Sequence, residues 1–414
     1  MCRGGARLAT GRVPGTFAPA PTVPSPPHPA ASAPLRHAAL LAALFAGLGV
    51  TLPFLPPYLA ARGLGPEAVA AVLFAGSAVR LLAAPPVARV ADASGDARRM
   101  LALLALAASA ASLAWLAAHG LWALAAVQVA AAALSAALLP VAEGMAVSAG
   151  RRGLLDYPRV RAAGSAAFIA GSATAGWLAS RAGLESVPWL LAAAFLASAL
   201  AALALPRGAA VVVAPPRPST RKRDGDDLAA LLRAPGFRRL VAAGALVHGS
   251  HAAYYAFGSL HWLAAGHPAT VVGLLWAWGV VAEVALFAAG RRFGDALGGA
   301  RGMMLAAAAL GAVRWAGTAA TTWLPALVAL QALHAASFGL YHLAAMRVLA
   351  EAAPEGRAGA AQSWYNVLGG GGPVALLVLA CGPLYAALGA GPTFGLMAAL
   401  CLAALPLAAR MGRG

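Results

Sequence analysis

The sequence predicts an all-α membrane protein with twelve transmembrane helices in two pseudo-symmetric six-helix bundles. Three observations carry that expectation. The first is composition: of 414 residues, 61% are hydrophobic and only 10% charged. A soluble domain carries about 25% charged residues, because it faces water on every side. A soluble globular enzyme is excluded on that ground. The second is a series of twelve apolar runs, each close to the roughly 20 residues that cross a bilayer. The third is a constant spacing of 203 residues between matching positions in the two halves.

The runs lie at about 38–61, 66–90, 100–118, 121–147, 160–180, 187–206, 237–262, 268–290, 303–321, 324–348, 362–386 and 390–409. Gly and Pro are common inside them, as membrane helices tolerate. Residues 1–35 are Pro-rich, contain no acid and have no apolar segment ahead of a cleavage site, so they do not read as a targeting peptide. They read as a disordered cytoplasmic tail, or as sequence ahead of a later start. Residues 207–236 carry Pro215-Pro216, Arg221-Lys222-Arg223, Asp224, Asp226 and Asp227. This polar stretch is the expected cytoplasmic linker between bundles at 36–206 and 237–409, with residues 410–414 as a short tail. The three cysteines, Cys2, Cys381 and Cys401, are too far apart for a disulfide framework or a metal site.

The net charge of +17 would point to nucleic acid in a soluble protein. Here the basic residues sit between apolar runs. With the N-terminus inside, 26 of the 30 fall in cytoplasmic segments, and only Arg62 and Arg181 fall on the opposite side. The positive-inside rule then places both termini in the cytoplasm. Nucleic acid is not an expected partner.

The repeat pairs Gly63 with Gly266, Gly76 with Gly279, Gly95 with Gly298 and Gln128 with Gln331. Its clearest block sets Asp92-Ala-Ser-Gly-Asp-Ala-Arg98 against Asp295-Ala-Leu-Gly-Gly-Ala-Arg301. Both follow the second helix of a half. Parallel six-helix repeats of this kind are the arrangement of the major facilitator transporters. Asp92, Gly95 and Arg98, with Asp295, Gly298 and Arg301, are expected to form charged latches that pair in one conformation and release in another. The turn resembles that superfamily's loop 2–3 motif, with Ala88 in place of the usual leading Gly.

Several strings are more specific. Asp156-Tyr-Pro-Arg-Val-Arg-Ala-Ala-Gly-Ser165 opens the fifth helix, and His251-Ala-Ala-Tyr-Tyr-Ala-Phe257 sits in the seventh. Gly279-Val-Val-Ala-Glu-Val284, Val313-Arg-Trp315, Leu333-His-Ala-Ala and His342-Leu-Ala-Ala-Met-Arg347 follow in helices eight to ten. Together they resemble the bacterial 3-phenylpropionic acid transporters, relatives of the lactose and nucleoside proton symporters. The resemblance implies a major facilitator fold and proton-coupled uptake of a small aromatic carboxylate at the inner membrane. A monomer without a cofactor is expected, with substrate, protons and lipid as partners; His248 and His251 lie one turn apart, but no carboxylate or thiolate near them in the helix points to a metal.

Ionisable residues inside the bilayer are costly and default to function. Arg80 and Glu283 occupy one repeat position, since their numbers differ by 203. Arg80 suits a carboxylate, which a guanidinium holds bidentately. Burial disfavours the charged form of a carboxylic acid, so Glu283 suits proton exchange. An ion pair locking the halves is the alternative reading of both. Glu143 and Arg161 should reach similar depth on adjacent antiparallel helices. The resemblance gives that pair a substrate-binding role, with Phe168 where the lactose permeases have Trp; a structural pair is the other reading. It likewise suggests proton handling for Arg314 and His334, with Ser337 and Gln331 in place of the permeases' Glu and Lys. His251, Tyr254 and Tyr255 are expected to line the pocket or a helix interface, and Trp177, Trp262 and Trp323 to anchor the membrane surface. No P-loop, dinucleotide fingerprint or nucleophile elbow is present, which disfavours ATP-driven transport and hydrolysis. Efflux on the same scaffold, or symport of sugars or nucleosides, fits the sequence as well. A polytopic enzyme does not, because its acids are too few and too scattered.

Overall fold

The computed structural model describes Met1 and residues 33–93, 95–206, 228–352 and 358–411. Apolar sequence with internal hydrogen bonding is the requirement for crossing lipid, and these residues meet it as helices. Those of the first half are α1 (Ala33–Ala61), α2 (Pro66–Ala93), α3 (Ala97–Ala117), α4 (Gly120–Ser135 continued by Leu138–Arg151), α5 (Tyr157–Ala182) and α6 (Ser186–Ala204). The second half has α7 (Pro235–Gly249, Tyr254–Gly258, Ser259–Ala264), α8 (Ala269–Ala288) and α9 (Ala300–Ala320). It ends with α10 (Leu324–Ala332, Ala335–Leu340, Tyr341–Ala352), α11 (Ala358–Tyr365, Asn366–Gly371, Gly372–Leu388) and α12 (Ala390–Ala409). Ten of these are long and apolar enough to cross a membrane. The other two are α5, diluted by Gly164, Ser165, Gly171, Ser172 and Gly176, and α7, broken by a turn at Ser250–His251.

The expected boundaries shift at two places. The first helix begins at Ala33, before residue 36, and residues 228–233 of the expected linker are helical. Residues 2–32 and 207–227 lie outside the described residues. Short side chains cap the helices where the sequence offers them: Asp96 accepts from the Arg99 amide, and Asp156 from the Arg159 amide.

The repeat survives at the level of backbone angles. Gly63 and Gly266 have φ of 87° and 89°, and Gly95 and Gly298 have φ of 68° and 69°. Only glycine enters this left-handed region without strain, so the matched glycines mark matched turns.

The bundles meet along α5 and α8, and along α2 and α11. Ser172 Oγ donates to the Gly273 carbonyl at 2.9 Å, and the Thr270 amide donates to Ser180 Oγ at 2.9 Å. A Cβ on Gly176 would stand 2.5 Å from the Ala269 carbonyl oxygen, and one on Gly273 would strike the Ser172 carbonyl. Across α2 and α11, a Cβ on Gly382 would come within 2.7 Å of Ala70. Small residues permit such backbone approach between membrane helices. Both crossings lie near the turns at Gly63, Gly183, Gly266 and Gly389, at the end of the molecule that is poor in charge. They seal that end. One basic residue there has structural work: Arg62 donates to Tyr58 Oη, the Leu116 carbonyl and Glu185, tying α1, α3 and the start of α6.

Gly273→Ala is expected to cost about 1–3 kcal/mol through overpacking, read as a lowered thermal unfolding midpoint in detergent. Gly236→Ala, where an added Cβ meets nothing within 4 Å, serves as the control. Equal midpoints for the two variants would show that the α5–α8 crossing has room to spare.

Candidate functional site

Two contiguous cavities lie between the bundles, of about 290 and 190 Å³, sharing Leu48, Leu52 and Tyr255 as a common wall. Every lining residue on α2, α5, α8 and α11 sits on the charge-rich side of the two sealing crossings. The larger cavity is mostly apolar, with Arg80, Gln128, Thr51 and Ser77 as its polar residues besides Tyr255. Arg80 sits midway along α2 and is exposed to the open space of this cavity, and among the described residues no hydrogen bond or ion pair reaches its guanidinium. A free cation at that depth is costly without an anion to meet it.

The smaller cavity is an aromatic chamber. Phe45, Phe168, Tyr254, Tyr255, Trp276 and Phe338 line it, with Arg161, Ser165, Glu283 and His334 as polar groups. Tyr254 stacks on Trp276 with centroids 4.1 Å apart, and Trp276 Nε1 donates to Ser259 Oγ, which fixes the indole. Three stretches of π-helix, Tyr254–Gly258, Ala335–Leu340 and Asn366–Gly371, occur in α7, α10 and α11. Each contributes cavity residues: Tyr254 and Tyr255, Phe338, and Gly371. A π-bulge turns side chains out of the ordinary helical register and recurs at functional sites.

On the other wall, Arg161 Nε meets Glu143 Oε1 at 3.1 Å. The same guanidinium lies 4.2 Å from the Phe45 ring centroid and 3.4 Å from Ser165 Oγ. Glu143 is spent on Arg161 and is absent from the cavity lining; Arg161 is the member that lines it.

Arg314 is fully buried. Its Nη2 donates to Gln331 Oε1 at 2.8 Å, and its Nη1 contacts His334 Nδ1 and Ser337 Oγ, each at 3.1 Å. The rings of Tyr254 and Trp315 flank the cation at 4.8 and 4.1 Å. A guanidinium has no acceptor, so His334 Nδ1 must offer its lone pair and Nε2 must carry the proton. That Nε2 faces Glu283 Oε2 at 3.6 Å, longer than a hydrogen bond and within the range of a charge contact. A second branch runs from Arg314 through Ser337 to His251. His251 Nδ1 donates to the Val247 carbonyl at 3.0 Å, which leaves Nε2 to accept from Ser337 Oγ at 3.4 Å. Both branches point away from Arg314, and only the one through His334 and Glu283 ends at the cavity.

The sequence match decides the family: residues 36–396 match the model of the MFS_1 like family. The chain belongs to that family. It is 35% identical to the probable 3-phenylpropionic acid transporter of Escherichia coli (strain K12) over 365 residues, which is 87% of this chain and 93% of the relative. The crystal structure of a point mutant of the nucleoside transporter NupG superposes with a TM-score of 0.79 at 16% identity, covering 92% of this chain and 99% of that one. A peptide transporter POT structure superposes with a TM-score of 0.70 at 13% identity, covering 92% and 94%. The protein is a multi-pass membrane transporter with the major facilitator fold, and not an enzyme.

Within this family member, several expected site residues move to supporting positions. His251 is 1% exposed and stands behind the cavity, because α7 turns it toward Ser337. Trp262 is no surface anchor: it is buried 6.0 Å from the Tyr254 ring, whereas Trp177 and Trp323 are exposed. In the latch turns, Arg98 donates to the Leu203 carbonyl at the end of α6 at 2.9 Å and stands 3.8 Å from Asp96 Oδ1. Arg301 Nε is buried without a hydrogen-bond partner among the described residues. The side chains of Asp92 and Asp295 lie outside the described residues. No group of three His, Cys, Asp or Glu residues comes together as a metal site among the described residues.

The sequence marks Gln331 in the repeat and in place of a permease Lys but gives it no role; its amide also donates to Tyr254 Oη at 3.0 Å and so fixes both Arg314 and the chamber wall. Its match to Gln128 in the repeat was the available signal. Phe45, Trp276 and Phe338 were missed, since a lone aromatic in an apolar run looks the same whether it faces lipid or cavity.

Proposed function

We propose that this protein is a proton-coupled secondary transporter that imports a small aromatic carboxylate of the phenylpropionate type by alternating access. The observation that carries the reading is the unpartnered Arg80 guanidinium in a cavity that adjoins an aromatic chamber across Leu48, Leu52 and Tyr255. An arylalkyl acid fits that pairing, with its carboxylate on Arg80 and its ring among Tyr254, Tyr255, Trp276 and Phe168. The name of the 35% identical relative points to the same class. Arg161, its charge balanced by Glu143, offers guanidinium N–H groups at the ring end of the site.

Glu283 is the proposed proton carrier. His334 presents its N–H toward the carboxylate, and Arg314 holds His334 in that tautomer, so Arg314 acts as a positioning residue. The excess of basic residues on one side supports a cytoplasmic location for both termini. The structure then corresponds to a state sealed toward the outside. A bacterial inner membrane, a monomeric state and a hinge between bundles at 36–206 and 237–409 belong to the same proposal, as does release of the Asp92–Arg98 and Asp295–Arg301 latches during transport.

The test is uptake of labelled 3-phenylpropionate into proteoliposomes with and without an imposed pH gradient. Accumulation above equilibrium only with the gradient is the expected result. Uptake that ignores the gradient would remove the proton coupling. No uptake of any aromatic acid, alongside uptake of a sugar or nucleoside, would remove the substrate assignment.

A further inference from the structure

Gln128 and Gln331 occupy the same place in the repeat, on α4 and α10. Their circumstances differ. Gln331 is 2% exposed and spends its amide on Arg314, Tyr254 Oη and the Leu275 carbonyl. Gln128 has no hydrogen-bond partner among the described residues, and it lines the cavity that holds Arg80.

The local packing fixes where the Gln128 amide stands. Its head lies directly over Gly76: a Cβ there would come within 2.7 Å of Gln128 Cδ and closer still to Nε2. Gly76 and Arg80 are four residues apart on α2 and share a face. The amide is therefore held about one helical turn from the backbone of Arg80, on the same wall of the cavity. The other polar groups nearby are already committed as donors. Thr51 Oγ1 donates to the Gly47 carbonyl at 2.8 Å, and Ser77 Oγ donates to the Leu73 carbonyl at 2.9 Å. Apart from Tyr255, Arg80 and Gln128 are left as the donors that this cavity can offer to an anion.

We infer that Gln128 is a second carboxylate-binding residue, donating its amide N–H to one substrate oxygen while Arg80 engages the carboxylate charge, and that Gly76 is the positioning residue that leaves room for it. The inference rests on the Arg80 reading above. A donor at each end makes the site selective for a planar acid in one orientation, which a lone cation would not do.

Equilibrium binding of 3-phenylpropionate and its primary amide to the purified full-length protein tests this. Gln128→Leu is expected to weaken the acid about tenfold or more and the amide by much less, because hydrogen bonds to charged groups are the stronger ones. Gly76→Ala should reproduce that loss by displacing the Gln head. In a Gln128→Ala background, Gly76→Ala should cause no further loss, as expected of two residues acting through one contact. If Gln128→Leu binds the acid as wild type does, or loses acid and amide equally, Gln128 is not a carboxylate ligand. If Arg80→Ala keeps the wild-type preference for acid over amide, the Arg80 reading falls and takes this inference with it.

Discussion

Arg80→Ala is expected to bind 3-phenylpropionate about ten- to a hundredfold more weakly than wild type, with affinity for the primary amide nearly unchanged. Arg80 has no competing anion among the described residues, so its removal strands no buried acid and leaves the fold intact. What is lost is a charge-assisted hydrogen-bonded contact, about 1.5–3 kcal/mol. Arg80→Lys should recover part of the affinity, since an ammonium restores the charge without the planar fork. Binding measured on purified protein separates the cases. Equal losses for acid and amide would mean that Arg80 shapes the cavity without holding a carboxylate, and Arg161 would then be the candidate cation.

Glu283→Gln should abolish accumulation driven by a pH gradient while sparing exchange of labelled for unlabelled substrate at equal pH. Exchange requires the binding site and the change of shape but no net proton movement. Uphill uptake needs a group whose protonation differs between the two faces. Gln keeps the size and hydrogen-bonding capacity of Glu283 beside His334, so the 3.6 Å contact can persist in altered form. His334→Gln is expected to impair coupling less completely, because it alters the orientation of the N–H donor but leaves the carboxylate. A Glu283→Gln variant that still concentrates substrate would reduce Glu283 to a structural residue and transfer the question to Glu143.

Much of the fold was legible because hydropathy over some 20 residues reports a physical requirement of the bilayer. The Glu143–Arg161 pair was legible because adjacent antiparallel helices put matching depths side by side. Arg80 was legible as an ion in an apolar run. The orientation of residues within a span was not. His251 and Tyr254 lie three positions apart on α7, yet one faces Ser337 and the other the chamber, because the helix breaks at Ser250–His251 and enters a π stretch at Tyr254. Trp262 illustrates the same limit: its place near a span end suggested the interface, but it is packed inside. The role of Gln331 was hidden for a different reason. An amide looks neutral in the sequence, and its importance comes from the buried cation that it satisfies.

If the protein works by the proposed alternating access, a crossing made of glycines and hydroxyls sets how it divides its time between two shapes. At Ser172–Gly176 and Ala269–Gly273 the surfaces are nearly flat, with backbone against backbone and few side chains interlocked. Parting them forfeits shallow van der Waals contact and hydrogen bonds that incoming water can replace at small net cost. Such a seam holds the sealed shape by a modest margin, so that in the proposed cycle substrate binding energy is enough to redistribute the population between shapes. Bulk added along this seam would act as a thermostat on that distribution, shifting residence toward the opposite opening while leaving every group that touches substrate in place.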